Sequence, residues 1–373
     1  MPDGIDFCNK PRAFAFMKFI KQKTVRKSIL IYFILFIGTA YLFAQSGGQS
    51  TYKFLNLSNS ARMAALGGSG LAVKDNDISL ALFNPSLIGP GIDNHLALSF
   101  VDYFAGINYG FVSYSKTFEK YGSFVGGLQF IDYGRFTEAD ETGETYGQFS
   151  AGEYAFILGW GRQLDSSFSI GANLKNIYSD FREYKSYGLA VDVSGTYHNS
   201  EHGFAASLIF KNIGRQIVKY TDGDREALPF EVQLSMSKKL DKAPIRFILV
   251  GDNLQKYDLT YEEPHYLKPT TDPLTGEPLP ERKLANHMDK FFRHIIAGAE
   301  FMPTQNLSFC LSYNYRRSKE MRVPTRISTV GISWGVNVKV SKFRFGYARS
   351  AFHLSGSPNH ITLTTNLSEF VKK

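Results

Sequence analysis

The sequence predicts an all-β fold, a transmembrane antiparallel up-and-down β-barrel of about fourteen strands with a short helical plug on its N-terminal side. Three observations predict it. From about His95 onward the chain runs in period-2 segments, the connections between them alternate between very short and long, and a basic-then-apolar leader stands ahead of both. Strands that alternate apolar and polar residues can face lipid on one side and a wet lumen on the other.

The leader comes first. Lys18, Lys21, Lys23, Arg26 and Lys27 form a basic stretch, residues 28–43 form an apolar run, and the small Ala44 precedes Gln45. This order reads as a signal peptide over residues 1–44, cleaved after Ala44, with Met17 as an alternative start. The apolar run has about 16 residues, short of the ~20 that a spanning helix needs. Residues 1–44 hold seven Lys/Arg and two Asp/Glu, so of the net +8 only +3 stays with residues 45–373. A basic pI of that origin argues for targeting and gives no case for a nucleic-acid partner. Cys8 lies in the leader and Cys310 is the only other cysteine, so no intramolecular disulfide is expected. Aromatics at 15% and 33 glycines suit a barrel with interfacial girdles.

Residues 45–94 break the rhythm. Residues 51–90 are rich in Ala, Gly, Ser and Leu, and two stretches read as short helices, one N-capped by Ser60 and the other by Asp77, each ended by glycine or proline. The segment reads either as a periplasmic linker or, since ~40 residues with such apolar content are expected to enter a cavity at hand, as a plug in the lumen, which is the reading preferred.

Residues 95–373 form the barrel. Phe230, Val232, Leu234 and Met236 alternate with Glu231, Gln233, Ser235 and Ser237. The same alternation marks Phe168, Ile170, Ala172 and Leu174 against Ser169, Gly171, Asn173 and Lys175. It recurs in residues 187–194 and 307–314, and in residues 329–340, where Val330, Ile332 and Trp334 share one face. Fourteen segments begin near His95, Ile107, Tyr121, Gly152, Ser167, Glu183, His202, Pro229, Pro244, Lys290, Asn306, Ile327, Lys342 and His360, the last running to Phe370. Connections after even strands are tight, whereas residues 134–151, 214–228, 258–289, 318–326 and 351–359 read as long loops after odd strands. Short turns are periplasmic and long loops external in this class. Periodicity alone does not exclude a soluble β-sandwich, which also alternates.

By parity Glu153, Lys175, Asp192, Lys211, Glu231, Glu300, Lys339 and Arg344 point into the lumen, and Arg62 of the plug is a candidate partner for them. Cys310 also points inward, in a structural role. The stretch 258–289 carries Pro264, Pro269, Pro273, Pro278 and Pro280 and so is expected to be neither strand nor helix. It is the candidate partner-binding loop, with Tyr261, His265, Tyr266, Lys268 and Arg282 as candidate contacts. No catalytic constellation stands out. Asp165, Ser167 and His198 make a triad only on paper, without a nucleophile elbow. Asp140, Glu141 and Glu144, or Asp222 and Asp224, are solvated loop charges before they are a calcium site. No cofactor and no enzymatic activity are expected.

The plug also carries a resemblance. Residues 48–62, GQSTYKFLNLSNSAR, followed by Leu66-Gly67-Gly68 and by Asn84-Pro85-Ser86-Leu87, resemble the PorQ family of the type IX secretion system. Asn108–Tyr114, Ile170–Lys175, Lys211–Arg215 and Leu228–Glu231 extend the likeness over essentially the whole mature chain. In the wider PorV/PorQ group, similar to FadL-type outer-membrane barrels, the plug motif corresponds here to Arg62, Leu66, Gly67, Gly68, Asn84 and Pro85. Ser86 stands where many relatives have alanine. The resemblance implies an outer-membrane component, in contact with lipid and lipopolysaccharide, that holds a PorZ-like surface protein beside a PorU-like sortase and a PorV-like shuttle. The rival expectation is a FadL-like channel for hydrophobic small molecules.

Overall fold

The computed structural model describes residues 50–68, 70–260, 283–321, 328–353 and 356–370. The leader reading, and the candidate contacts Tyr261, His265, Tyr266, Lys268 and Arg282, lie outside the described residues.

Fourteen strands close into one antiparallel barrel, each paired with its neighbours in sequence and the first with the last. They are β1 (His95–Asp102), β2 (Asn108–Phe118), β3 (Gly122–Ala139), β4 (Thr145–Gln163), β5 (Phe168–Phe181), β6 (Tyr184–Asn199), β7 (Phe204–Val218), β8 (Glu231–Lys239), β9 (Ile245–Gly251), β10 (Ile295–Thr304), β11 (Leu307–Asn314), β12 (Ile332–Val340), β13 (Phe343–Ser350) and β14 (Asn359–Asn366). Closure is by β1 on β14, from His95 opposite Asn366 to Asp102 opposite Asn359. No sheet edge is left, as a membrane requires of strands.

The two faces separate a membrane barrel from a soluble sandwich. Ser169, Asn173 and Lys175 of β5 are buried in the interior, while Phe168, Ile170 and Leu174 stand exposed outside. On β8, Glu231, Gln233, Ser235 and Ser237 are buried, and Leu234 and Met236 are exposed. Phe156, Leu158, Phe247 and Leu311 are each more than half exposed. An outer wall of this kind is stable only in hydrocarbon. Aromatic pairs cluster at the short-turn end, among them Phe118 with Phe124 at 5.9 Å, Phe168 with Tyr197 at 5.1 Å and Phe343 with Phe370 at 5.6 Å. Trp160 Nε1 donates to the Tyr121 carbonyl at 2.9 Å in the same band. Among the described residues no helix is long and apolar enough to cross a membrane.

Several expectations are corrected. Residues 134–151 are a β-ribbon and not a long loop. After a register shift between Asp132 and Arg135, at Gly134 with φ 85°, pairing resumes from Arg135 opposite Ser150 to Ala139 opposite Thr145. Helix α3 (Lys283–Phe292; α1 and α2 lie in the plug) occupies the end of the predicted proline-rich loop and the predicted strand start at Lys290. All five prolines lie upstream of it, so none interrupts its hydrogen bonds. Helix α4 (Tyr315–Met321) takes up part of the predicted 318–326 loop. Val330 is buried, because Gly331 at φ 94° breaks the alternation before β12. The last strand stops at Asn366, whose side chain caps a 3-10 turn by accepting from the Ser368 amide.

The ribbon tip closes on Asp140. Its carboxylate accepts from the Thr142 amide at 2.9 Å, the Thr142 hydroxyl at 2.7 Å, the Glu144 amide at 2.9 Å and the Tyr146 hydroxyl. The hydrogen bonds from Tyr146 and Thr142 hold this carboxyl down at about 2. A depressed folded-state value adds stability above the unfolded value, near 4, that is lost as the pH falls through about 2. The tip is therefore expected to loosen between about pH 4 and pH 2. Amide exchange at Thr142 and Glu144, corrected for intrinsic rates, checks this, and Asp140→Asn should abolish the pH dependence.

Candidate functional site

The lumen is occupied by the chain's own residues 50–68 and 70–94. Ser50 bridges to Ala227, and the Thr51 amide donates to the Ala227 carbonyl at 3.0 Å, which fixes the segment's start at the long-loop mouth. At its other end the Asn94 amide donates to the Ser115 carbonyl at 3.0 Å, near the short-turn mouth. The segment thus threads the barrel from one mouth to the other.

Its local structure follows from its capping residues. Helix α1 (Ala61–Ala65) begins at Ser60, whose hydroxyl accepts from the Met63 amide at 3.3 Å. It ends in a Schellman turn, with the Gly68 amide on the Met63 carbonyl at 2.7 Å and the Gly67 amide on the Ala64 carbonyl at 3.3 Å. Gly67 sits at φ 113°, where a side chain would be strained. The Leu66-Gly67-Gly68 element is thus a helix stop. Helix α2 (Ile78–Ala81) begins at Asp77, whose Oδ1 accepts from the Ser79 amide at 3.0 Å. Asn84 is held extended by Pro85 and donates from Nδ2 to the Leu71 carbonyl and to Ser207 Oγ, each at 3.0 Å. Its Oδ1 accepts from the Ser86 hydroxyl at 2.7 Å.

The capped turns place Arg62 at the centre of a buried ionic cluster. Its Nε and Nη2 grip Glu300 of β10 at 3.0 and 2.9 Å. Nη1 and Nη2 also reach Asp75 at 3.0 and 2.6 Å, and Nη1 reaches Asp77 at 3.0 Å. Arg246 of β9 closes the cluster, donating to Asp75 at 3.0 Å and to Glu300 at 2.7 Å. Two guanidinium groups meet three carboxylates, and Asp77 uses one oxygen for the helix cap and the other for Arg62. Sequence reasoning misses Asp75 and Arg246. The inward parity of Arg246 with Ile248 and Val250 on β9 carried a signal for the second.

The other inward charges are distributed along the wall. Lys175 is 2.7 Å from Asp192 and donates to Asn212 Oδ1 at 2.9 Å. Glu231 accepts from Gln233 at 2.6 Å, and Glu153 from the Tyr133 hydroxyl at 2.6 Å. Lys211 is buried opposite Glu231 across the β7–β8 pair. Cys310 is buried beside Glu300 at 3.8 Å. Lys339 stands exposed at the short-turn mouth, 3.9 Å from Glu369, and lines the same cavity there as Arg344. Arg344 lines a cavity of about 470 Å³ at that mouth, floored by Arg62, Asp75 and Glu300.

Neutral bonds fix the plug to the wall around the circumference. The Ala61 amide meets Thr362 of β14 at 2.8 Å, Gly70 meets Gln233 at 3.0 Å and Ala72 meets Ser235 at 2.9 Å, both on β8. The Ser86 amide meets Ser194 of β6 at 2.8 Å, Asn173 of β5 donates to the Leu82 carbonyl at 2.8 Å, and Gln129 of β3 donates to the Phe54 carbonyl at 2.8 Å. Against β3–β5 Leu82, Pro85 and Ile88 come close to wall glycines, between the bonds from Gln129 and Asn173. Phe83 meets Phe111 of β2 edge to face at 5.8 Å. At Gly171 of β5 a Cβ would run into the Pro85 carbonyl and the Ser86 amide, so only glycine allows the plug this close.

The paper triad does not assemble. Asp165 caps its own turn by accepting from the Ser167 and Phe168 amides, and His198 meets Ser167 through its amide and faces Lys74 Nζ at 3.5 Å. Among the described residues no group of three or more His, Cys, Asp or Glu is arranged to hold a metal ion.

Fold and site together define a plugged, membrane-spanning fourteen-stranded barrel. No family model and no curated protein matches the chain. Similar solved structures include the Pseudomonas putida toluene transporter TodX, 13% identical over 83% of this chain and 96% of that one, with a TM-score of 0.44. A Pseudomonas aeruginosa FadL homologue is 10% identical over 86% of this chain and 100% of that one, with a TM-score of 0.46. CdiB from Acinetobacter baumannii is 11% identical over 73% of this chain and 59% of that one, at 0.33. At these values the fold rests on the closed strand order and not on the likenesses.

Proposed function

We propose that this chain is a non-catalytic outer-membrane scaffold that contributes position to a larger assembly, with its long loops outside the cell. The observation that supports this reading is the plug, bonded to the wall around the barrel and anchored by the Arg62 cluster. A lumen filled in this way leaves the rim as the working surface. The resemblance of the plug sequence to the PorQ family extends the reading to the type IX secretion system attachment complex. There the chain would hold a PorZ-like surface protein beside a PorU-like sortase and a PorV-like barrel, with residues 258–289 and their candidate contacts Tyr261, His265, Tyr266, Lys268 and Arg282 as the docking loop. Deleting residues 261–282 should release the surface partner from the membrane complex while the barrel stays inserted and heat-modifiable on gels. Undiminished crosslinking of the partner to the deletion variant would remove the docking assignment.

The second reading is a channel for hydrophobic small molecules, the class of work for which TodX is named. The seam between the plug and β2–β5 favours it, since the plug is held there by neutral hydrogen bonds and close packing and a path could open without breaking ion pairs. Extraction of purified protein followed by mass spectrometry separates the two readings. A stoichiometric apolar ligand supports the channel, and its absence together with loop-dependent partner binding supports the scaffold.

A further inference from the structure

Helix α3 is oriented the wrong way round for water. Leu284, Met288 and Phe291 lie on one stripe at the helical spacing and are 78%, 46% and 53% exposed, with Phe292 beside them. The opposite side is tied to the protein. Lys290 pairs with Asp258 at 2.6 Å, and Asp289 accepts from Arg293 and from the Tyr315 hydroxyl of α4, each at 2.8 Å. Lys319 of α4 stands 3.7 Å from Asp289, and Arg293 stands 3.8 Å from Glu320. A helix at a protein–water boundary buries its apolar stripe and shows its charges. Here the apolar stripe is left exposed, and the charges at the C-terminal end of the helix are paired with the protein.

The stripe also continues the wall. Phe247 and Leu249 are consecutive lipid-facing residues of β9, and Gly251 is the next position on that row. The Leu254 side chain covers it, 3.4 Å from where a Cβ of Gly251 would stand. Tyr257 follows, exposed, with its hydroxyl 3.3 Å from His287 Nδ1 of α3. The row of apolar side chains therefore runs from the hydrocarbon-facing strand over the barrel rim and onto the helix.

We propose that α3 is an interfacial helix whose Leu284–Met288–Phe291 stripe lies in the lipid boundary at the long-loop rim. Its polar side, clasped by Asp258, Tyr315, Arg293 and Lys319, holds it to the barrel. Helices of this kind seat their apolar face at the headgroup–acyl boundary. The assignment concerns lipid, is independent of the channel reading, and takes residues 283–289 out of the docking loop.

Nitroxide labels test it on the full chain in vesicles of phosphatidylethanolamine and phosphatidylglycerol, on a Cys8→Ser, Cys310→Ser background. Labels are placed singly through Leu284→Cys, Met288→Cys and Phe291→Cys, with Leu249→Cys as the lipid reference and Asn286→Cys as the polar-side reference. The ratio of collision with oxygen to collision with a water-soluble nickel chelate should match Leu249→Cys at all three positions. It should exceed that at Asn286→Cys by about threefold or more, as for a face seated at the acyl boundary. Nickel access equal to that of Asn286→Cys overturns the proposal in favour of a wet helix. Labels shielded from both reagents overturn it in favour of a protein cover, whether a second copy, a partner or another segment of this chain.

Discussion

Replacing Arg62 with alanine is expected to cost about 3–5 kcal/mol, the scale for removing one partner of a buried ion pair. The side chain is 6% exposed, and its loss leaves Glu300, Asp75 and Asp77 with only Arg246 among them. Asp77 would keep its capping bond to Ser79, but Glu300, 1% exposed, would face the lumen with half its donors gone. The plug should detach at its ionic end before the barrel opens. Urea unfolding in detergent should show a lower midpoint, and a protease that spares the wild type should cut within residues 61–77. Adding Glu300→Gln to Arg62→Ala should recover part of the loss, because the uncompensated carboxylate is then neutral; contacting groups couple by about 0.5–3 kcal/mol. An Arg62→Ala protein as stable and as protease-resistant as the wild type would end the anchoring role.

The second large effect is expected at Gly171→Val. Overpacking a tight contact costs about 1–3 kcal/mol, and here the obstacle is backbone, which cannot swing aside. The plug turn at Pro85 must lift off β5, breaking the bonds from Ser86 to Ser194 at 2.8 Å and to Thr196 at 2.6 Å. The added side chain points at the plug and leaves the backbone pairing of β5 with β4 and β6 in place, so gel mobility of the folded form should persist while a cysteine probe at Ser86 becomes reactive. Equal protection of that probe in Gly171→Val and Gly171 proteins would show that the seam has slack.

Much of the barrel was legible because period 2 is a strict code. The outward row Leu234 and Met236 and the inward row Glu231 to Ser237 follow from alternation alone, and the tight turns set the parity for all fourteen strands. Ser60 and Asp77 were legible as caps because an oxygen-bearing side chain ahead of a short apolar run has few other uses. The β3–β4 ribbon was hidden because Gly134, Arg135, Asp140, Glu141 and Glu144 have loop composition. Beyond the membrane a strand needs no apolar face, only a partner, and β3 and β4 supply each other. Helix α3 was hidden behind the prolines upstream and by an apolar stripe turned outward. The Arg62 cluster was half legible. The charge and its inward partner on β10 could be read from parity, whereas Asp75 and Arg246 depend on how the plug folds back on itself, which no local pattern encodes.

The plug's contacts also constrain the order in which the molecule can be assembled. Ala61 is held by Thr362 and Arg62 by Glu300, so the segment made early finds its partners in strands made among the last. Contacts of such long sequence separation form late, after the entropy of closing large loops has been met. Until β14 is made the Ala61 amide has no Thr362 to bond, and the Arg62 carboxylate partners are divided between the plug and β10. Full seating of the plug therefore waits on closure of the sheet, and a nascent barrel that stalls before its last strand is left with an open seam and helix α1 unpaired at Ala61.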